Sequence, residues 1–134
     1  MPRDYVEIGR RMREAWNRGD VDGLLAMLAP GAEWAIAEEN PSARLLHGHE
    51  EIADYLHDWL STIDDLHYEY SELVDAGDAV VSLGMMSGRA GEDGPSVTVP
   101  LALVSFFDGS VCVRVEEYLD HHRALDAAGL SRSD

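Results

Sequence analysis

The stretch SVTVPLALVSFFDGSVCVRVEEYL, residues 96–119, decides the fold. Ser96 to Phe107 is rich in Val, Leu and Phe, which suit a pleated and largely buried surface. Asp108-Gly109 is a tight hairpin signal, because Gly tolerates the positive φ that such a turn needs. Ser110 to Leu119 then returns as the last strand. Upstream, the same period-two texture continues. Leu66 to Val74 alternates weakly, Ala76-Gly77-Asp78 turns, and Ala79 to Gly88 forms a strand. Gly91-Glu92-Asp93-Gly94-Pro95 turns again into the long strand. The second half of the chain therefore reads as an antiparallel meander.

The first half reads differently. Tyr5, Ile8, Met12, Ala15 and Trp16 recur at helical spacing and share one face. Asn17-Arg18-Gly19-Asp20 breaks that helix, with Gly19 as a left-handed cap and Asp20 as the next N-cap. Leu24, Leu25, Met27 and Leu28 give a short second helix that Pro30-Gly31 ends. Glu33 to Glu38 reads as the first strand, with Trp34 and Ile36 on one face. A polar loop from Glu39 leads to His47-Gly48. A third helix from about His49 to Ser61 carries Ile52, Tyr55, Leu56, Trp59 and Leu60 as its stripe. A short helix from Asp120 to Ala128 closes the chain, and Ser131 to Asp134 is expected to fray. Helices followed by a meander indicate an α+β domain spanning residues 1–134. Its curved, mostly antiparallel sheet of four to five strands would wrap around the N-terminal helices and enclose a pocket.

Composition narrows the partners. The chain has 134 residues, 46% of them hydrophobic, enough for one core. It carries 26 acidic and 10 basic residues, a formal charge of −16. Every basic residue is Arg. Such a field repels phosphates, so nucleic acid and anionic membranes are poor partners. No apolar run reaches the roughly 18–20 residues of a membrane span. Met1-Pro2-Arg3-Asp4 shows no secretory signal, and the expected location is cytoplasmic. Cys112 is the single cysteine, which leaves no internal disulfide and reads as a small buried hydrophobe. A neutral or cationic small molecule, or another protein, fits this balance.

Several pieces of the chain resemble one family. Asn17 to Leu25 with Leu28-Ala29-Pro30, then Ala32-Glu33-Trp34, Gly48 to Trp59, Gly77 to Val81, Gly109 to Asp120 and Ala124 to Leu130 resemble the nuclear transport factor 2-like superfamily. They are most similar to its SnoaL-like branch of polyketide cyclases and ketosteroid-isomerase-type proteins. The resemblance implies a cone-shaped α+β fold with the pocket inside the cone. It also implies a homodimer packed through the outer face of the sheet. The pattern of Val97 to Phe107, apolar on both faces, agrees with a strand buried on both sides.

The polar row on the last strand is the first candidate site. Arg114, Glu116, Tyr118 and Asp120 are spaced by two and share one face, while Val113, Val115, Glu117 and Leu119 share the other. A charged row on a half-buried sheet must be paired or functional. Asp120 is the expected base, since Glu116 lies close enough to Arg114 for an ion pair that would hold its pKa low. Arg114 would orient the carboxylate or hold an oxyanion. The plainer alternative is an Arg114–Glu116 pair at a wet rim with Asp120 as a helix cap. The Tyr118-Leu119-Asp120 setting resembles the end of the sheet in limonene epoxide hydrolase and SnoaL-type enzymes, where an Asp acts as base. The epoxide hydrolase Arg-x-Asp pair is broken here: Arg89 could match the Arg, but Gly91 stands where the Asp would be. Glu38 stands near where a ketosteroid isomerase places its Asp base, but no Tyr–Asp oxyanion pair accompanies it.

Other candidates are single residues. Trp34 would stack on a flat ligand, or fill the core, with Glu38 at the pocket mouth. Met85 and Met86 would line an adaptable wall. His47 and His121 are the histidines best placed for ligand contact or acid–base work. His47 and His49 straddle a helix start and diverge, and His121 and His122 lie about 100° apart on a helix; no metal site is expected. No phosphate cradle or nucleophile elbow is present, and no cofactor is expected. Three functions remain open: a cofactor-free cyclase or isomerase acting on an apolar, cyclic or polyketide-like molecule, a non-catalytic ligand-binding or dimerisation module, and a protein-interaction domain.

Overall fold

The computed structural model describes residues 4–91 and 93–130. The expected tail at Ser131 to Asp134 and Glu92 of the turn after Gly91 lie outside them. The order is α1 (Tyr5–Asn17), α2 (Val21–Leu25), β1 (Leu28–Ala35), β2 (Leu45–His47), α3 (Gly48–Thr62), β3 (Asp64–Asp75), β4 (Ala79–Arg89), β5 (Ser96–Asp108), β6 (Val111–Tyr118) and α4 (His121–Ala127). The strands form one sheet in the order β2-β1-β6-β5-β4-β3. The β1–β6 pair is parallel and all the others are antiparallel. The α+β reading stands, with six strands rather than four to five.

The two corrections lie around the first strand. The sequence suggests helix through Leu28 and a stop at Pro30-Gly31, yet α2 ends at Leu25 and β1 begins at Leu28. Pro30 survives inside β1 because the register with β6 is interrupted between Leu28 and Glu33, where a missing N–H removes no ladder bond. The second miss is β2. Its three residues pair with Glu33, Trp34 and Ala35 but are too short to show alternation.

The helix ends follow their cap residues. The Asp4 carboxylate accepts from the Glu7 amide at 3.0 Å, and Asp20 accepts from the Gly23 amide at 2.9 Å. Gly19, at φ +70°, turns the chain between the two helices.

The sheet carries a different load on each face. Its inner face packs on α1, α2 and α3 through one cluster that includes Met12, Trp16, Leu24, Ile52, Leu56 and Val115. Its outer face holds a smaller cluster in which Ala124 and Leu125 of α4 cover Val81, Leu83, Ala102 and Val104. The two-sided apolarity of β5 thus has a cause within one chain over its second half. Its first half does not: Val97 is 54% exposed and Val99 39%.

One buried polar knot ties the layers. Tyr68 on β3 is 1% exposed, and its hydroxyl donates to the Leu101 carbonyl at 2.9 Å and lies 2.7 Å from Ser82 Oγ. The ring fits because position 84 is Gly; a Cβ there would stand 2.9 Å from Tyr68 Cε1 and 2.6 Å from the Glu69 carbonyl oxygen. Tyr68→Phe keeps the ring and strands the buried acceptors. It should lower stability by about 1–3 kcal/mol, read as a fall in the urea midpoint at unchanged slope.

Candidate functional site

Curvature of the sheet leaves a cavity of about 330 Å³ between its inner face and the helices. Its wall is mostly apolar and aromatic. Trp16 comes from α1, Trp34 from β1, Tyr55 and Trp59 from α3, and Leu101 and Leu103 from β5. Trp16, Trp34 and Trp59 are all the tryptophans of the chain. Helical spacing puts Tyr55 and Trp59 on one face of α3, and their rings meet edge to face with centroids 6.4 Å apart. Trp34 tilts at 58° to Tyr55, 6.5 Å away. Such a wall presents aromatic faces and few polar groups to the cavity.

Three charged side chains interrupt it: the exposed Glu39, and two that burial sets apart, Glu117 and Arg13. Glu117 projects from β6 on the face of Val115, half-buried at the wall. Its carboxylate accepts from Trp34 Nε1 at 2.7 Å, from the Tyr55 hydroxyl at 2.8 Å and, more weakly, from the Ala37 amide at 3.3 Å. A carboxylate offers about four acceptor sites, so room remains for one more proton. Burial pushes the Glu117 pKa above the ordinary carboxylate range, and the three donors only partly offset that shift. Tyr55 is held protonated by its own burial and by the Glu117 charge.

Arg13 of α1 is the second. It lines the same cavity and is 3% exposed. Its Nε and Nη1 have no hydrogen-bond partner, and neither has Trp16 Nε1 one turn further along the helix. Arg13 and Glu117 face one cavity without forming an ion pair.

The row read from sequence lies on the other face of the sheet. Arg114 donates from Nε to Glu116 and from Nη1 to Glu33, each at 2.7 Å, and the Tyr118 hydroxyl donates to Glu116 at 2.7 Å. Glu116 raises the Tyr118 pKa to about 12, together with burial, its larger cause. His47 Nδ1 extends this network to Glu33 at 3.5 Å. Arg114, Glu116 and Tyr118 line a shallower, polar concavity of about 220 Å³ that shares only Glu117 and Glu39 with the cavity inside. Expecting the pocket on the Arg114 face is thus corrected by one residue of register: the deep cavity belongs to the Val115–Glu117–Leu119 face.

The remaining candidates scatter. Asp120 is exposed and caps α4, accepting from the His122 amide at 2.9 Å. His121 Nε2 lies 3.0 Å from the Gly84 carbonyl oxygen. Glu38 lies beyond the end of β1 and pairs with Arg123, away from the deep cavity. Met85 is 40% exposed, while its neighbour Met86 lines the cavity. Arg89 pairs with Asp65. Of the residues singled out in advance, only Trp34 and Met86 line the deep cavity. The burial of Cys112 holds as expected, and raises its thiol pKa to about 11. Among the described residues no group of three or more His, Cys, Asp or Glu is placed to hold a metal, and no helix is long and apolar enough to cross a membrane.

Comparison with known proteins agrees with this architecture. A nuclear transport factor 2-like protein of Burkholderia thailandensis E264 is 26% identical, over 96% of this chain and 98% of that one, at a TM-score of 0.80. A Catenulispora acidiphila protein with a ketosteroid isomerase-like fold, solved in complex with trimethylamine, is 19% identical over 92% and 93%, at 0.75. A candidate polyketide cyclase of Xanthomonas campestris pv. campestris is 19% identical over 91% and 94%, at 0.69. A comparison with curated proteins gave no match. The model of the SnoaL-like domain family matches residues 9–117, most of the chain. With helices, curved sheet and inner cavity all in agreement, the chain belongs to the SnoaL-like domain family.

Proposed function

We propose that the chain is a cofactor-free enzyme that takes a compact, apolar ring substrate into the inner cavity and moves a proton on it, in the manner of an isomerase or cyclase. One observation carries this reading: a carboxylate, Glu117, is set in an aromatic wall whose burial raises its pKa toward the range of a useful general base. Glu117 takes the role that sequence spacing gave to Asp120. In the proposed step, a C–H proton beside a carbonyl passes to a Glu117 oxygen and the electron pair moves onto the carbonyl oxygen. Return of the proton to a different carbon would complete an isomerisation. The candidate polyketide cyclase among the structural neighbours is consistent with ring chemistry in such a pocket. The test is deuterium exchange at the α-carbon of 2-tetralone, a flat bicyclic ketone, followed by NMR. Exchange above the buffer rate is expected; exchange at the buffer rate overturns the reading.

The competing reading is a binding module without chemistry, and it is favoured by the three donors that already engage Glu117. It predicts that 2-tetralone binds, seen as quenching of tryptophan fluorescence, without exchange.

The proposal includes a homodimer. α4 covers only one end of the outer face, and the other end carries exposed Met85, Thr98 and Pro100. Light scattering at micromolar concentration should give twice the mass of one chain. The association should tighten with salt as like charges are screened. The mass of a single chain would exclude it.

A further inference from the structure

The inner face of α1 is otherwise apolar: Met12, Ala15 and Trp16 are buried there. Arg13 is buried among them at 3% exposure, and no hydrogen bond satisfies Nε or Nη1. A guanidinium stays charged even when burial lowers its pKa, as it does here. An unpaired buried cation is among the most destabilising features a small domain can carry. Around it, Tyr68 and Cys112 are both held protonated by burial. Glu117 shares the cavity but lies beyond ion-pair distance. The nearby Trp16 indole N–H is stranded in the same way. Three donor atoms on two side chains of one cavity wall thus lack an acceptor, and nothing else in the described chain supplies one.

The geometry points to Arg13, with Trp16, as the docking point for a negatively charged oxygen on the ligand. The substrate class is then flat ring compounds that carry a carboxylate or an acidic, ionised enol. This deepens the proposed function and rests on the inner cavity being the binding site. It departs from the neutral or cationic partner that the charge of −16 suggests. The two are compatible because surface charge is screened within about 10 Å of solvent at ordinary salt, whereas the guanidinium acts at contact in a dry wall. A ligand oxygen held there, with an acidic C–H turned to Glu117, would answer the two buried charges, Arg13 and Glu117, at once.

Binding of 2-naphthoate and of its neutral counterpart 2-naphthylmethanol, followed by tryptophan quenching, tests this. The carboxylate should bind the native protein about ten- to a hundredfold more tightly. Arg13→Met should erase that preference while leaving the alcohol's affinity near native. Arg13→Lys, which keeps the charge but loses the planar fork, should retain a reduced preference and guards against a folding defect in the first variant. A second arm uses 4-nitro-1-naphthol, whose visible spectrum reports ionisation. The native protein should bind it as the anion, and Arg13→Met should not. Preference for the carboxylate, for the naphtholate, or for both supports the docking point and tells the two ligand classes apart. Equal binding of acid and alcohol, with the naphthol bound neutral, overturns it and leaves the cavity reading intact. No binding of any probe overturns both.

Discussion

Replacing Glu117 with Gln should reduce protein-catalysed deuterium exchange of 2-tetralone by about 10²–10⁴-fold, the usual contribution of a positioned general base. Gln keeps the length and the acceptor oxygen. It can still receive the Trp34 indole N–H and the Tyr55 hydroxyl, so the β1–α3–β6 junction that Glu117 ties together is retained. What Gln cannot do is take a proton. Binding of 2-tetralone should therefore change little while exchange is lost. A variant that still exchanges at the native rate would reduce Glu117 to a structural link. Asp120→Asn serves as the matched control, because Asn also caps a helix and Asp120 lies outside the cavity. Its exchange rate should stay native.

The same substitution has a signature in stability. The folded state binds the Glu117 proton more tightly than the unfolded chain, because burial raises the pKa in the folded protein. Between the ordinary carboxylate range and that raised value, the folded state then holds more protons. This group's contribution to stability is intact below the unfolded pKa and declines as pH rises through that window. Glu117→Gln removes the decline. Melting temperature plotted against pH should show the variant gaining on the native protein as pH rises from the acid side. Parallel curves would mean that folding does not raise the Glu117 pKa, the donors around it having cancelled the effect of burial. A functional carboxylate that weakens the fold when ionised is the expected trade between activity and stability.

Much of this architecture is visible in local patterns, and the failures have physical causes. The stripes Tyr5 to Trp16 and Ile52 to Leu60 follow the helical period and give α1 and α3 almost to the residue. The Asp108-Gly109 signal gives the β5–β6 hairpin one residue early: Asp108 ends β5 opposite Val111, and Gly109-Ser110 form the loop. β2 is lost because three residues carry no period, and β1 is misplaced because Pro30 and Gly31 look like a stop where they occupy a register break. The site is harder to see. Period two correctly separates Arg114, Glu116 and Tyr118 from Val115, Glu117 and Leu119, but it does not say which set faces inward. The richly charged row draws attention, yet those charges satisfy one another at the surface. The useful signal is the reverse: one carboxylate alone on an apolar face. Arg13 follows the same rule, a single charge between Met12 and Trp16 on the buried side of α1. A solitary charge on an otherwise apolar face marks Arg13 and Glu117 alike, and the surrounding pattern is what makes it legible.

Trp34→Ala should lower stability by about 3–5 kcal/mol, the range for a buried aromatic. The residue is 4% exposed on β1, beside Leu46 of β2 and Val115 of β6 in register. Truncation would empty the junction of three strands and enlarge the cavity. Because destabilisation of that size also disables binding, the informative variant is Trp34→Phe. Phe preserves most of the apolar contact and removes one thing of chemical interest, the indole N–H that donates to Glu117 at 2.7 Å. That bond favours the ionised carboxylate and so opposes the effect of burial. Its loss should raise the Glu117 pKa further. The rise in 2-tetralone exchange with pH should then shift to higher pH, with the plateau rate near native if the base is otherwise intact. A shift to lower pH, or a profile superimposable on that of the native protein, would show that the indole does not set the proton affinity of Glu117. In that case Trp34 is a wall of the cavity and a part of the core, and the tuning of the base rests with Tyr55, the Ala37 amide and the more distant charge of Arg13.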